Sequence, residues 1–508
     1  MDRLSPLDAV FVDAEDEDRH TSMAIASVGV FEGPVPAYEE LYQAVSGRLA
    51  AVPIYRRKLR TVPFRLGRPV WVDDPDFDLR YHIRSTALPA PGGDEQLSRL
   101  LARVMGQRLD RDYPLWEYWL VSGLAGERWA LISKLHHCMA DGISGTDLYR
   151  AVFDVTPEPS PPVPDDRVAG PEPSAISLAA QAALDLAMLP VRDASLVRGV
   201  LANPGDALRQ VAGTGRAIAR MVPSLRLAPG SSLSGQIGQQ RRHVWVRASL
   251  AEIKAVKGEL GGTVNDVVLA AISGGFRSLL LARGEEPDPH KVPSLVPVSV
   301  RAKGDESVYE NQVSGEVAYL PVHIADPVER LAAVRAELAS LKASREERVG
   351  EALISLGHYA PFPVVSRGVR FALSLPQREI VTVTTNVPGP PFPLYAMGRR
   401  MVELVPFVPL GSRVRIGVAI ISYDGNVVFG VTGDYDANPD LDVLARGIED
   451  GLCELLAAAG HPRTPAAGGQ PPEPAAARQP RKPAATRQPR KPAATRQSPE
   501  PAAADDQH

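Results

Sequence analysis

The stretch His136-His137-Cys138-Met139-Ala140-Asp141-Gly142 joins a paired histidine to a carboxylate and a turn glycine, directly after the apolar run from Trp129 to Leu135. An ordinary imidazole titrates near ~6.5, so it can take a proton from a hydroxyl and return it to a leaving group, which suits acyl transfer. Successive side chains on a strand point to opposite faces, so the two rings cannot easily aim at one substrate. One general base is expected, with the other histidine structural. Asp141 has the type and position to hold the tautomer of that base, and Gly142 permits a positive φ or a close backbone approach. Ser144 lies in Gly142-Ile143-Ser144-Gly145, which is not a GxSxG elbow, and reads as a turn or helix-entry residue. Cys138 reads as a small buried residue. His243, His323 and His358 lack an HxxxD context, and no histidine-carboxylate spacing points to a metal.

Downstream, Gly261-Gly262-Thr263 precedes a helix in which Thr263 serves as N-cap and Asp266, three residues later, returns a capping-box contact. Asn265 beside it carries a side-chain amide at a helix start, able to donate to a developing oxyanion, a contribution worth roughly 3 kcal/mol where such donors have been removed. Leu115 and Trp116 are expected to line an acyl or acceptor channel or to fill the core beneath the histidine strand.

These groups need elements to hold them. Ala24 to Phe31 reads as a strand, Tyr38 to Leu49 and Glu95 to Leu109 as helices, and 129–135 as the strand that delivers the histidines. Thr156 to Pro173, crowded with Pro, Asp and Glu, reads as an exposed linker. Ser177 to Val222 turns helical; in its later part Leu208, Val211, Ile218 and Val222 share one face, with Arg209, Arg216 and Arg220 on another. That piece is either an inter-domain helix with a solvated face or an interfacial helix on anionic lipid. A second alternation follows: strand His243 to Val246, helices Leu250 to Leu260 and Asn265 to Arg283, strands Ser294 to Val300 and Val313 to Leu320, and helix Val328 to Ala343. Val414 to Ser422 and Val427 to Thr432 flank an Asp424-Gly425 hairpin signal, and Leu441 to Ala458 closes the folded part as a helix. After Gly460 the chain is low-complexity, with a nine-residue block at 478–486 repeated at 487–495, and is expected to be a disordered, solvated tail.

With 508 residues and 44% hydrophobic content the chain can bury two cores. A net charge of −4 gives no field to attract nucleic acid. Two distant cysteines, Cys138 and Cys453, fit a reducing compartment and argue against disulfides or zinc. Met1 to Asp18 is acidic, unlike a signal peptide, and no uninterrupted apolar run approaches the ~20 residues that span a bilayer. The expectation is a cytoplasmic protein, soluble or peripheral to the inner membrane or lipid droplets.

The histidine motif resembles the HHxxxDG signature of the bacterial wax ester synthase/diacylglycerol acyltransferase family, in which His137 fills the H of HxxxDG. Leu4-Ser5-Pro6-Leu7-Asp8, Pro114-Leu115-Trp116-Glu117, Asn265-Asp266, Pro297-Val298-Ser299-Val300-Arg301, Asn311-Gln312-Val313-Ser314 and Thr385-Asn386-Val387-Pro388-Gly389-Pro390 resemble the same family in order, over residues 4 to 460. Ser234 departs from it, standing where relatives often have asparagine. The resemblance implies an α/β fold of two chloramphenicol-acetyltransferase-like domains with mixed sheets, at 1–155 and 234–460, joined by a linker and helical crossover at 156–233 and followed by the tail 461–508. It implies direct general-base esterification of diacylglycerol, or of long-chain alcohols to wax esters, with acyl-CoA as co-substrate and no other cofactor. It further implies that Asp141 pairs with an arginine, Arg301 being the candidate, and that Asn265 and Asp266 lie near the catalytic histidine. The segments Asn386 to Pro390, read as a loop, and Asn311 to Ser314 carry no derivable chemistry. Two rivals are an acyltransferase drawing on carrier-protein thioesters and a catalytically weak lipid-binding or lipid-droplet protein.

Overall fold

A computed structural model describes residues 2–139, 152–165, 167, 169–192, 231–299, 313–346, 380–411 and 413–461. Asp141, Gly142, Ser144, Arg301, Asn311, Gln312, the basic amphipathic stretch 208–222 and the tail beyond 461 lie outside the described residues. The first half contains β1 (Asp2–Arg3), α1 (Pro6–Glu17), β2 (Ala24–Glu32), α2 (Tyr38–Ser46), β3 (Arg57–Arg60), β4 (Val70–Asp73), β5 (Ile83–Ala87), α3 (Asp94–Met105), β6 (Trp116–Leu124) and β7 (Arg128–His136). After α4 (Ala175–Arg192) come β8 (Arg241–Ser249), α5 (Leu250–Leu260), α6 (Val264–Ala282), β9 (Pro293–Ser299), β10 (Val313–Tyr319) and α7 (Pro327–Glu346). The described chain closes with β11 (Thr382–Pro388), β12 (Tyr395–Ala396), β13 (Arg399–Phe407), β14 (Ile416–Tyr423), β15 (Asn426–Asp434) and α8 (Leu441–Ala458).

Two six-stranded mixed sheets organise these elements, in the orders β12-β13-β2-β7-β6-β5 and β10-β9-β11-β14-β15-β8, with a small β1-β4-β3 sheet beside them. In the first, only β5 and β6 run parallel; in the second, β9, β11 and β14 do. The strand Trp116–Leu124, not picked out from the sequence, buries five of its first six residues and lacks the alternation that marks a half-exposed strand.

The chain does not divide cleanly at 234. β13 pairs with β2, Leu404 opposite Gly29 and Phe407 opposite Ala26, so residues 395–407, assigned by sequence to the second domain, complete the sheet of the first. Met401, Leu404 and Val405 are accordingly buried in the first core, which also takes Ile421, Tyr423 and Val428 from the second sheet. Where β13 and β15 meet, a Cβ on Gly430 would lie 2.1 Å from the carbonyl oxygen of Pro406, so the sheets approach as closely as backbone allows.

Helix α6 is long and apolar enough to cross a membrane by length and composition. Here it is a core helix, packed against α8 so closely that a Cβ on Gly275 would meet the Leu444 carbonyl oxygen at 2.9 Å. The Asp424-Gly425 turn has φ of 44° and 80°, the two positive values a two-residue hairpin needs.

One sequence reading is corrected outright: Asn386 to Pro388 is not loop but the end of β11, which pairs in parallel with β14 up to Pro388 opposite Ser422. On its other side β11 meets β9 only at Thr382 and Val383. Beyond that point no described strand pairs with it on that side, and the pairing with β14 alone carries the strand on through residues that look like turn formers.

Candidate active site

α1 and β7 build the histidine site together. Ser5 is the N-cap of α1, its hydroxyl oxygen accepting the Asp8 N–H at 3.0 Å, with Pro6 opening the first turn. This gives the Leu4-Ser5-Pro6-Leu7-Asp8 block a physical role: it starts the helix whose residues 11 and 15, one turn apart, meet the two histidine rings. Phe11 lies against His137, ring centroids 4.1 Å apart, and Glu15 faces His136.

His136 is the last residue of β7 and only 1% exposed. Its backbone N–H donates to Leu115 O at 2.9 Å, and it sits opposite Ala24 of β2. The ring is fixed from both sides. Nδ1 accepts the Cys138 N–H at 3.2 Å and lies 2.9 Å from Cys138 Sγ. Burial pushes the Cys138 thiol well above its usual range, so the sulfur keeps its hydrogen and donates it. With Nδ1 accepting, the proton of a neutral ring belongs on Nε2, which faces Glu15 Oε1 at 3.5 Å, an electrostatic contact longer than a good hydrogen bond.

Glu15 is nearly sealed. Burial raises its carboxyl, but His136, the Met23 N–H at 2.6 Å and Arg111 at 3.1 Å outweigh that and hold it at about 2. Glu15 therefore stays ionised and anchors three elements at once: α1, β7 and the entry to β2.

His137 differs in every respect. It starts the short turn that follows β7, donates its backbone N–H to Met23 O at 2.8 Å, and is only half-buried. The main chain is clamped, and the residue is not sealed as His136 is. On the opposite flank Lys134 is buried; its ammonium donates to Val104 O at 2.9 Å and Gln107 O at 2.7 Å, capping the C-terminus of α3. Burial draws it down to about 8 although Glu117 opposes the shift.

Leu115 and Trp116 are both sealed in the core rather than lining an open channel. The Trp116 ring stacks between Tyr55 and His82, centroids 4.5 Å and 4.4 Å away, and its Nε1 donates to Tyr55 O at 2.9 Å. They brace the histidine strand, Trp116 standing opposite Leu135. Asp266 is likewise committed: its carboxylate accepts the Thr263 N–H at 2.7 Å while Thr263 Oγ1 accepts the Asp266 N–H at 3.2 Å. That box stabilises the start of α6 by about 1 kcal/mol and occupies one oxygen of the Asp266 carboxylate.

Asn265, the neighbouring residue, is half-exposed and meets a partner that sequence had left without a role: Asn386 Nδ2 donates to Asn265 Oδ1 at 3.2 Å. Two motif blocks 121 residues apart in sequence thus touch at the end of β11. Glu15 and Phe11 were also missed; their one-turn spacing behind a Ser-Pro helix start is the signal that could have found them.

Known proteins match along most of the chain. Residues 4–268 match the wax ester synthase/diacylglycerol acyltransferase catalytic domain and residues 309–456 the C-terminal domain of the same family. The protein named "Probable diacyglycerol O-acyltransferase tgs1" of Mycobacterium tuberculosis is 40% identical over 465 residues, covering 90% of this chain and 96% of that one. Among solved structures, a wax ester synthase/diacylglycerol acyltransferase from Marinobacter aquaeolei VT8 superposes with a TM-score of 0.65 at 24% identity, covering 91% of this chain and all of the other. The first condensation domain of the calcium-dependent antibiotic synthetase shares the fold more distantly, with a TM-score of 0.51 at 16% identity over 90% of this chain.

Proposed function

This chain belongs to the wax ester synthase/diacylglycerol acyltransferase family, and from that premise we propose that it transfers the acyl group of an acyl-CoA to the free hydroxyl of diacylglycerol, with long-chain alcohols as alternative acceptors. His137 takes the hydroxyl proton as the oxygen attacks the thioester carbonyl. The new C–O bond forms, the C–S bond breaks, and the same proton passes to the CoA thiolate. No covalent enzyme intermediate is needed.

The observation that carries this reading is the contrast within the histidine pair. His136 is sealed, its Nδ1 taken by Cys138 and its Nε2 turned to the Glu15 carboxylate, whereas His137 is half-buried with its backbone held, so the second ring is the better placed of the two to exchange a proton with a bound hydroxyl. Incubating the protein with labelled acyl-CoA and a panel of diacylglycerol, fatty alcohol and an acyl carrier-protein thioester as competing donor tests it. Free CoA and triacylglycerol are expected in equal amounts. Lipid binding without CoA release would sink the reading.

A diacylglycerol acceptor resides in a membrane or at a droplet surface, and we place the protein there, peripherally, on the cytoplasmic side. Exposed apolar side chains on two neighbouring elements support this. Phe64, 89% exposed, sits at the tip of a turn whose residues 64 and 65 both have positive φ, an unusual conformation for an aromatic residue. The turn abuts α4, which buries Leu178 and Ala182 against Val62, Val70 and Val72 and turns Ile176, Leu184 and Met188 outward. The charges beside it are neutralised, Arg65 by Asp13 and Asp16 and Arg3 by Asp185. Attachment is therefore expected through apolar insertion, with little dependence on salt or anionic lipid. Phe64→Asp is expected to lower co-flotation with neutral phosphatidylcholine vesicles several-fold while leaving turnover of a water-soluble short-chain alcohol unchanged; equal flotation of the variant would exclude this surface.

A further inference from the structure

We propose that Asn386 is a positioning residue for Asn265: by donating to the Asn265 carbonyl oxygen it fixes which way that amide faces, and so presents the Asn265 NH2 group to the oxyanion formed at the thioester carbon. The inference rests on the acyl-transfer reading above and gives the Asn386 to Pro390 block a role.

A carboxamide has one face that accepts and one that donates, and rotating it by half a turn exchanges them at little steric cost. An unheld asparagine at the open end of a helix would sample both orientations. In this protein the Asn265 oxygen is occupied by Asn386 Nδ2 at 3.2 Å, which leaves both Asn265 N–H bonds directed elsewhere. Asn265 is also the second residue of α6, where free backbone N–H groups and the positive end of the helix dipole favour negative charge. Donors and dipole therefore act in the same sense.

The strand explains why residue 386 supplies the bond. Side chains of β11 alternate, so Thr382, Thr384 and Asn386 share one face. The first two are buried, Thr384 accepting a hydrogen bond from Ser294 Oγ at 2.9 Å. Asn386 is the next residue on that face and is exposed, lying past the point where β9 and β11 cease to pair. The strand thus carries an amide out of the core to where it meets the start of α6. Asn386 contributes no atom to the reaction and acts only through its neighbour.

The test is a cycle of Asn265→Ala, Asn386→Asp and the double variant, with turnover, KM for acyl-CoA and thermal midpoint measured for each full-length protein. A carboxylate at 386 cannot donate, so Asn265 must rotate and spend its N–H there. Its hydrogen bond survives, but the donor aimed at the oxyanion is lost. Asn386→Asp and Asn265→Ala are each expected to lower kcat by about 100-fold, with KM and thermal midpoint near wild type. The double variant is expected to be no slower than either, because the second change has nothing left to act through. A merely structural bond predicts instead that Asn386→Asp turns over like wild type. That result, a wild-type rate for Asn265→Ala, or a double variant slowed by the product of the two effects, as a direct effect of the new charge would give, would each overturn the proposal. If the unaltered protein releases no CoA, it is the acyl-transfer reading that fails; the proposal fails alone when the wild type is active and the cycle is flat.

Discussion

His137→Ala is expected to lower kcat for acyl transfer by roughly 10³-fold, within the 10²- to 10⁴-fold span of a lost general base, while shifting the thermal midpoint little. The small effect on stability follows from how the residue is held. Its anchor is the backbone bond to Met23 O, which alanine retains, and its half-buried ring leaves only modest apolar area to lose against Phe11. Catalysis and folding are therefore separable at this position. His136→Ala inverts the pattern, because removing that ring leaves the Glu15 carboxylate sealed with one partner fewer and Cys138 without its acceptor. The pair of variants is the measurement: steady-state CoA release together with thermal unfolding. A His137→Ala protein retaining a tenth or more of wild-type turnover would remove the general base from the mechanism and leave only acceptor positioning for that ring.

The sequence made the histidines legible because their chemistry and their spacing coincide. Strand alternation alone predicts that one ring of an adjacent pair is lost to the interior, and His136 is the ring so placed. Helices Leu250–Leu260 and Leu441–Ala458 were also readable to the residue, the first from its Ser249–Glu252 capping box and apolar spacing, the second from its apolar spacing alone. What could not be read is long-range. Nothing near Arg399 to Phe407 announces that it pairs with a strand some 370 residues earlier, because β propensity carries no address. The Asn386 segment looks like a loop by composition, and only its position at a half-paired strand end makes it a strand. Trp116 and Asp266 were local readings of the other kind: the core packing and the capping box that the sequence offered for them are what the structure shows.

Glu15→Gln is expected to cost about 3 kcal/mol of stability near pH 7 and to remove a specific acid-sensitive component of folding. The glutamate is held at about 2 in the folded protein against an ordinary 4.5, a difference that corresponds to ~3 kcal/mol favouring the ionised side chain. Glutamine mimics the protonated acid: it can still accept the Met23 N–H but no longer opposes the charge of Arg111 or of a protonated His136. Because the folded state depresses this carboxyl, its contribution is fully present above about 4.5. It is lost progressively as pH falls through about 2, where folded and unfolded chains are both protonated. The difference in thermal midpoint between wild type and variant should therefore be largest at neutral pH and close as the solution is acidified past that window. A gap that stays constant down to pH 2 would mean that the charge of Glu15 does no work and that its packing alone matters. Since Glu15 touches the helix, the strand end and the β2 entry that together frame His137, loss of that gap's pH dependence would also sever the link drawn here between the first helix and the placement of the base.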